Sequence, residues 1–127
     1  MSSRWFLLLL LAAFAGMAFA KPVPATTVDR EIGELIASIE RLPDAQFLRN
    51  GEAHSAAEAG AHLRLKRKNA GARIKSAEDF ITYCATGSSL TGKPYRIRLA
   101  DGTELASADF FRARLREIRA HAPPATK

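Results

Sequence analysis

Six apolar residues, Val28, Ile32, Leu35, Ile36, Ile39 and Leu42, recur at helical spacing and draw one apolar stripe along a helix. Thr27 is placed to cap its N-terminus. Asp29 and Glu31 follow in the first turn, where carboxylates suit the positive end of the helix dipole. Pro43 ends the helix, because the residue before a proline is pushed out of helical geometry. The stretch ahead of it, with Pro22 and Pro24, reads as a short linker.

The pattern then shortens. Gln46-Phe47-Leu48-Arg49 is an extended segment, and Asn50-Gly51 is a tight turn. Ser55 with Glu58 three residues later forms a capping box and opens a second helix, running to about Lys68 or Ala70. Ser76 with Asp79 opens a third in the same way, with Phe80, Ile81 and Cys84 as its core stripe. Residues 86–92 read as loop. Tyr95, Ile97 and Leu99 alternate with Arg96 and Arg98, the mark of a half-buried strand whose arginine face looks to solvent or to a partner. Asp101-Gly102 signals a hairpin, after which Thr103-Glu104-Leu105 can pair back. Ser107 is the expected cap of a last helix lined by Ala108, Phe111, Leu115 and Ile118, and Pro123-Pro124 ends the ordered chain. These elements predict an α+β domain of about four helices packed on a small two- or three-stranded antiparallel sheet. It spans residues 21–127, with an ordered core over about 28–120.

The first twenty residues belong to a different class of sequence. Arg4 precedes an unbroken apolar run from Trp5 to Ala15, and Ala18-Phe19-Ala20 supplies a small-residue cleavage site. That order is a secretory signal peptide at residues 1–20. The run is shorter than the roughly 20 apolar residues a spanning helix needs. No cysteine follows the cleavage site, so no lipid or membrane anchor is expected once the leader is removed. The expected location is therefore periplasmic. Residues 21–127 have the length of one domain. The chain is 47% hydrophobic and 25% charged, with a formal charge of +6. A basic balance favours anionic partners and argues nothing about fold. The single cysteine, Cys84, cannot close a disulfide within the chain and is expected to be buried on its helix.

Four groupings could carry chemistry. His54, Glu58 and His62 are the residue types of a zinc site. Glu58 is already engaged in the capping box, so no metal is expected. His62 and Lys66 lie four apart on one helix face with Ala59, Leu63 and Ala70. Their stems can cover apolar surface while their heads reach water, or the face can bind a ligand. The Gly/Ser/Thr loop before Tyr95 could cradle an anion. Gly87 to Lys93 fits the spacing of a phosphate-binding P-loop, but Pro94 occupies the magnesium-binding Ser/Thr position, and the loop leads into a strand. Nucleotide is therefore excluded. The basic run Arg64, Lys66, Arg67, Lys68, Arg73 and Lys75 lacks interleaved aromatics, which together with export argues against nucleic acid. Ser88 or Ser89 with His62 is the only pairing that hints at a hydrolase, and no complete catalytic set is visible.

Phe47-Leu-Arg-Asn-Gly51, His54, Glu58-Ala59, His62-Leu63, Lys66, Ala77-Glu78, Phe80-Ile81, Ser88-Ser89 and Thr91-Gly92-Lys93-Pro94-Tyr95 occur in one order. In this the chain resembles the YfeK-like family of small exported bacterial proteins, a domain of unknown function. The resemblance runs from about Glu31 to Leu115. It implies a periplasmic protein with a signal peptide and brings no activity, substrate or catalytic residue. It marks Arg49, Asn50, Gly51, His62, Lys66, Ser88, Ser89, Thr91, Gly92, Lys93 and Tyr95 as signature positions, too many of them polar for core packing alone.

The resulting expectation is a periplasmic binding or interaction module, without cofactor or catalytic residues, for an anionic small molecule or envelope component. A small hydrolase-like envelope enzyme and a purely structural envelope protein are the alternatives. The expected ligand-binding residues are Arg49, Asn50, His62, Lys66, Ser88, Ser89, Thr91 and Lys93. Antiparallel pairing of the strands at Phe47 and Tyr95 would bring the Asn50-Gly51 turn against the 88–93 loop, with the His62/Lys66 face beside them. The bland alternative is that the same groups tie loop to helix.

Overall fold

A computed structural model describes residues 22–124. The predicted leader and cleavage site lie outside the described residues. Helix α1 (Ala25–Glu40) is followed by strands β1 (Gln46–Arg49) and β2 (Glu52–Ser55), then α2 (Ala56–Ala70) and a short 3-10 turn, Gly71–Arg73. Helix α3 (Ala77–Phe80) continues as a π turn over Ile81–Ala85. Strands β3 (Arg96–Arg98) and β4 (Glu104–Ala106) precede α4 (Ser107–Ala120). The sheet runs β2-β1-β3-β4 with every neighbouring pair antiparallel. The fold is α+β as predicted, with four strands where two or three were expected.

The extra strand is β2. Asn50 and Gly51 both take positive φ, 51° and 80°, which suits the two-residue hairpin turns whose twist matches that of the strands. The chain therefore folds straight back, pairing Arg49 with Glu52 and Phe47 with His54. Glu52-Ala-His-Ser has no Val, Ile, Thr, Tyr, Phe or Trp to announce a strand. The turn and the ladder impose the conformation. Ser55 then closes β2 and caps α2: its Oγ accepts from the Glu58 amide at 3.2 Å, while Glu58 accepts from the Ser55 amide at 3.0 Å.

The core lies between the helices and the buried side chains of the central strands. Ile32, Leu35, Ile39, Leu63, Phe80 and Phe111 meet Phe47, Tyr95 and Ile97. Phe47 and Ile97 are direct cross-strand partners. Cys84 is buried among them, and desolvation pushes its thiol above the usual range. Arg96 and Arg98 pair with Glu104 on the neighbouring strand.

Three terminal roles differ from the sequence reading. Helix α1 begins at Ala25, and the Pro24 carbonyl, rather than a Thr27 side chain, accepts its first amides. A backbone carbonyl can do this whatever the side chain. Glu31 is one turn further in and buried, held by Arg119 of α4 through two hydrogen bonds of 2.8 and 3.2 Å. Arg119 also bonds Glu78 of α3. Ser107 lies inside α4, fully buried, with Ala106 as the capping residue. The Ser107 amide is spent on the Tyr95 carbonyl at 2.9 Å, which draws the residue into the core.

Candidate functional site

Arg49 ends β1, Asn50 makes the hairpin turn, and β1 runs antiparallel to β3. This brings the turn beside the 87–94 loop that enters β3. The loop is pinned at its base by a Gly87–Pro94 bridge and by hydrogen bonds from Ser88 N to Lys93 O (3.0 Å) and from Tyr95 N to Thr86 O (2.9 Å). A side chain at Gly87 would put its Cβ 2.9 Å from the Lys93 carbonyl, so the pinning requires glycine. Asn50 ties turn to loop: its amide donates to Ser88 Oγ at 3.3 Å, and its carbonyl accepts from Thr91 Oγ at 2.6 Å.

Helix α2 supplies the second wall. Lys66 Nζ donates to the Gly87 carbonyl (3.0 Å) and to the Tyr95 hydroxyl (3.1 Å). Arg49 donates to His62 Nδ1 at 2.6 Å. The same Arg49 nitrogen lies 3.2 Å from His62 Nε2, which is 3.3 Å from the Tyr95 hydroxyl oxygen; a guanidinium only donates, so the ring nitrogen that meets it accepts. Tyr95 is a buried ring between Phe47 and His62, with its oxygen accepting from Lys66 and in contact with His62 Nε2. A neutral ring is also what the surroundings enforce. Desolvation, then the charges of Arg49 and Lys66 and a contribution from His54, lower the His62 pKa from 6.5 to about 4.

These residues border an open groove of about 590 Å³. Of the predicted residues, Arg49, Asn50, His62, Lys66, Ser88 and Ser89 line it. Thr91 braces Asn50 from the loop, and Lys93 enters the network through its amide, which donates to Thr91 Oγ at 3.2 Å. The lining also includes Asn69, Arg73 and Tyr83, which were not singled out as site residues. The Arg73 guanidinium sits 4.4 Å from the centre of the Tyr83 ring. Asn69 lies one turn beyond Lys66, so a helical count along α2 would have found it, whereas Arg73 lies past the helix end in the 3-10 turn and needed the assembled fold. Tyr83 carried no signal, because only the π turn sets it apart from buried Ile81 and Cys84.

Ser88 Oγ accepts from the Leu90 and Thr91 amides as well as from Asn50. Among the described residues no hydrogen bond joins Ser88 or Ser89 to His62, whose ring contacts Arg49 and Tyr95. No group of three or more metal-ligating side chains is gathered among the described residues. Glu58 serves the cap and approaches His54 at 3.5 Å, while His62 faces Arg49 and Tyr95. No helix among them is long and apolar enough to cross a membrane.

Fold and groove define a class: a small α+β domain whose hairpin turn, helix face and Ser/Gly loop close around a cationic groove. The chain belongs to a family of unknown function, DUF5329, whose pattern matches residues 26–119. It is 45% identical over 67 residues to a Salmonella typhimurium protein described as uncharacterized protein YfeK, in agreement with the motif resemblance. That match takes in 53% of this chain and 56% of the relative, so it spans little more than half the relative's length. No solved structure matches the chain.

Proposed function

We propose that this protein is an exported, non-enzymatic binding module that takes an anionic ligand in the groove between the Asn50 turn, helix α2 and the 87–93 loop. One observation carries this reading. Arg49, Lys66 and Arg73 line the groove, and none has a carboxylate partner among the described residues. Most arginines outside the groove are paired with carboxylates, among them Arg64 with Glu40, Arg67 with Asp29, Arg98 with Glu104 and Arg119 with Glu31, whereas Arg41 and Arg116 stand exposed without one among the described residues. Glu52 is the one acidic residue on the groove's lining, and it turns to His54 at 3.8 Å. Charge-assisted hydrogen bonds to a carboxylate or phosphate would complete such a site, each contributing roughly 1.5–3 kcal/mol. The leader at residues 1–20 supports a periplasmic place of work.

The internal bonds of Lys66 favour a second reading, in which the cluster only locks the loop to the helix. Calorimetric titration with inorganic phosphate and with acetate, on wild type and Arg73→Gln, separates the two. Arg73 is exposed, so the variant keeps the fold. Anion binding that weakens in Arg73→Gln at unchanged Tm supports the site. Undetectable binding in wild type leaves the structural lock.

A further inference from the structure

The groove is not purely polar. The described surface exposes four large hydrophobic side chains, Val23, Leu65, Tyr83 and Leu90. Three of them line this one groove: Leu65 is 55% exposed, Tyr83 43% and Leu90 95%. Scattered apolar residues on a surface need no explanation, but their gathering at one polar concavity does. Each is put there by a different device. Leu65 occupies the α2 face next to Lys66. Leu90 rides the tip of the loop that Asn50, Ser88 and Thr91 hold in shape. Tyr83 is turned outward by the π turn, which buries Ile81, Cys84 and Ala85 on its other side. Arg73 stacked on the Tyr83 ring joins the cationic and apolar parts.

The geometry points to an amphipathic anion as the ligand class: one carboxylate or phosphate head held by Arg49, Lys66 and the Ser88–Ser89 hydroxyls, and an apolar body laid over Leu65, Tyr83 and Leu90. This rests on the anion-binding reading above. A volume of about 590 Å³ falls within the range of small-molecule sites, about 300–1,000 Å³, and all its walls come from one domain. A free amphiphile fits that description, whereas a membrane surface would call for a flat or convex face.

The test compares inorganic phosphate, octyl phosphate, octanoate and uncharged octyl glucoside, the amphiphiles below their micellar concentrations, together with vesicles of anionic phospholipid, by calorimetry on wild type and on Leu65→Ser/Leu90→Ser. Both substituted residues are exposed, and matching melting curves check that the fold is intact. Octyl phosphate or octanoate is expected to bind at least about tenfold more tightly than phosphate, the effect of burying roughly two methylene groups. The double variant is expected to bring the octyl affinity down to that of phosphate. Which octyl anion binds better distinguishes phosphate from carboxylate as the head. Phosphate binding with no gain from the octyl chain overturns the amphiphile and leaves the anion site standing. No binding of any anion removes both. Equal binding of octyl glucoside, an octyl gain that survives in the double variant, or binding seen only with vesicles of anionic phospholipid also overturns the proposal.

Discussion

The guanidinium of Arg49 donates to Nδ1 of His62 at 2.6 Å, an arrangement open only to an uncharged imidazole. Burial and the neighbouring charges of Arg49, Lys66 and His54 keep it so, with the folded pKa lowered to about 4 from 6.5. Above pH 6.5 the ring is neutral in folded and unfolded chains alike, and His62 adds no pH dependence. As pH falls below 6.5, the unfolded chain takes up a proton that the folded one refuses, so stability falls until about pH 4. The half-buried ring makes this on the order of 1–2 kcal/mol after solvent screening. Glu78 and Glu104, lowered mainly by hydrogen bonds to Arg119 and Arg98, add losses only below their ordinary value of 4.5. Urea melts of wild type and His62→Gln between pH 7 and 5 should therefore show a decline in wild type that the variant lacks.

Lys66 holds the loop by two hydrogen bonds, and its stem is partly buried. Lys66→Met keeps the stem and removes both donors. We expect a loss of about 1–3 kcal/mol, because the Gly87 carbonyl is left unpaired and the Tyr95 hydroxyl keeps only its contact with His62. Amide exchange at Tyr95 should quicken more than at Ile97, since the Tyr95 amide closes the loop base. Unchanged exchange at Tyr95 would show that the loop does not depend on Lys66.

Arg119 is the only counter-charge of buried Glu31 among the described residues. Removing one partner of such a pair strands the other. Because Arg119 is 44% exposed and the pair is partly screened, Arg119→Met should cost about 1–3 kcal/mol, while Glu31→Gln/Arg119→Met should recover part of it. A double variant as unstable as the single would show that the loss came from packing alone.

Ser107 predicts a gain. Its hydroxyl is fully buried without a partner among the described residues, a burden of roughly 1–3 kcal/mol. Ser107→Ala keeps the amide bond to Tyr95 and is expected to raise stability by about 1 kcal/mol. A fall in Tm would place a hidden partner on that hydroxyl.

The α1 stripe, the turn at Asn50-Gly51, both side-chain-capped helix starts and the alternating strand at Tyr95 were legible because each is a local rule expressed in side chains. What was not legible is set by partners distant in sequence. β2 is a strand because β1 lies beside it. Ser107 is buried because Tyr95 takes its amide, and Glu31 is tolerated in the core because Arg119 arrives 88 residues later. The same split runs through the groove. Arg49, Asn50, His62, Lys66 and the serines were named from motif and spacing. Tyr83 and the unpaired state of the three cations needed the assembled fold.

The π turn at Ile81–Ala85 carries one more residue than an α-helical turn would accommodate. Chain length there, rather than composition, decides which side chain looks outward. Remove a single residue from 81–85 and the segment can close as ordinary α-helix, rotating the downstream residues by about 100° about the helix axis. The ring that stacks under Arg73 would then be carried off the groove wall. A relative of the same composition but one residue shorter at this turn would keep its cationic wall and lose its aromatic one.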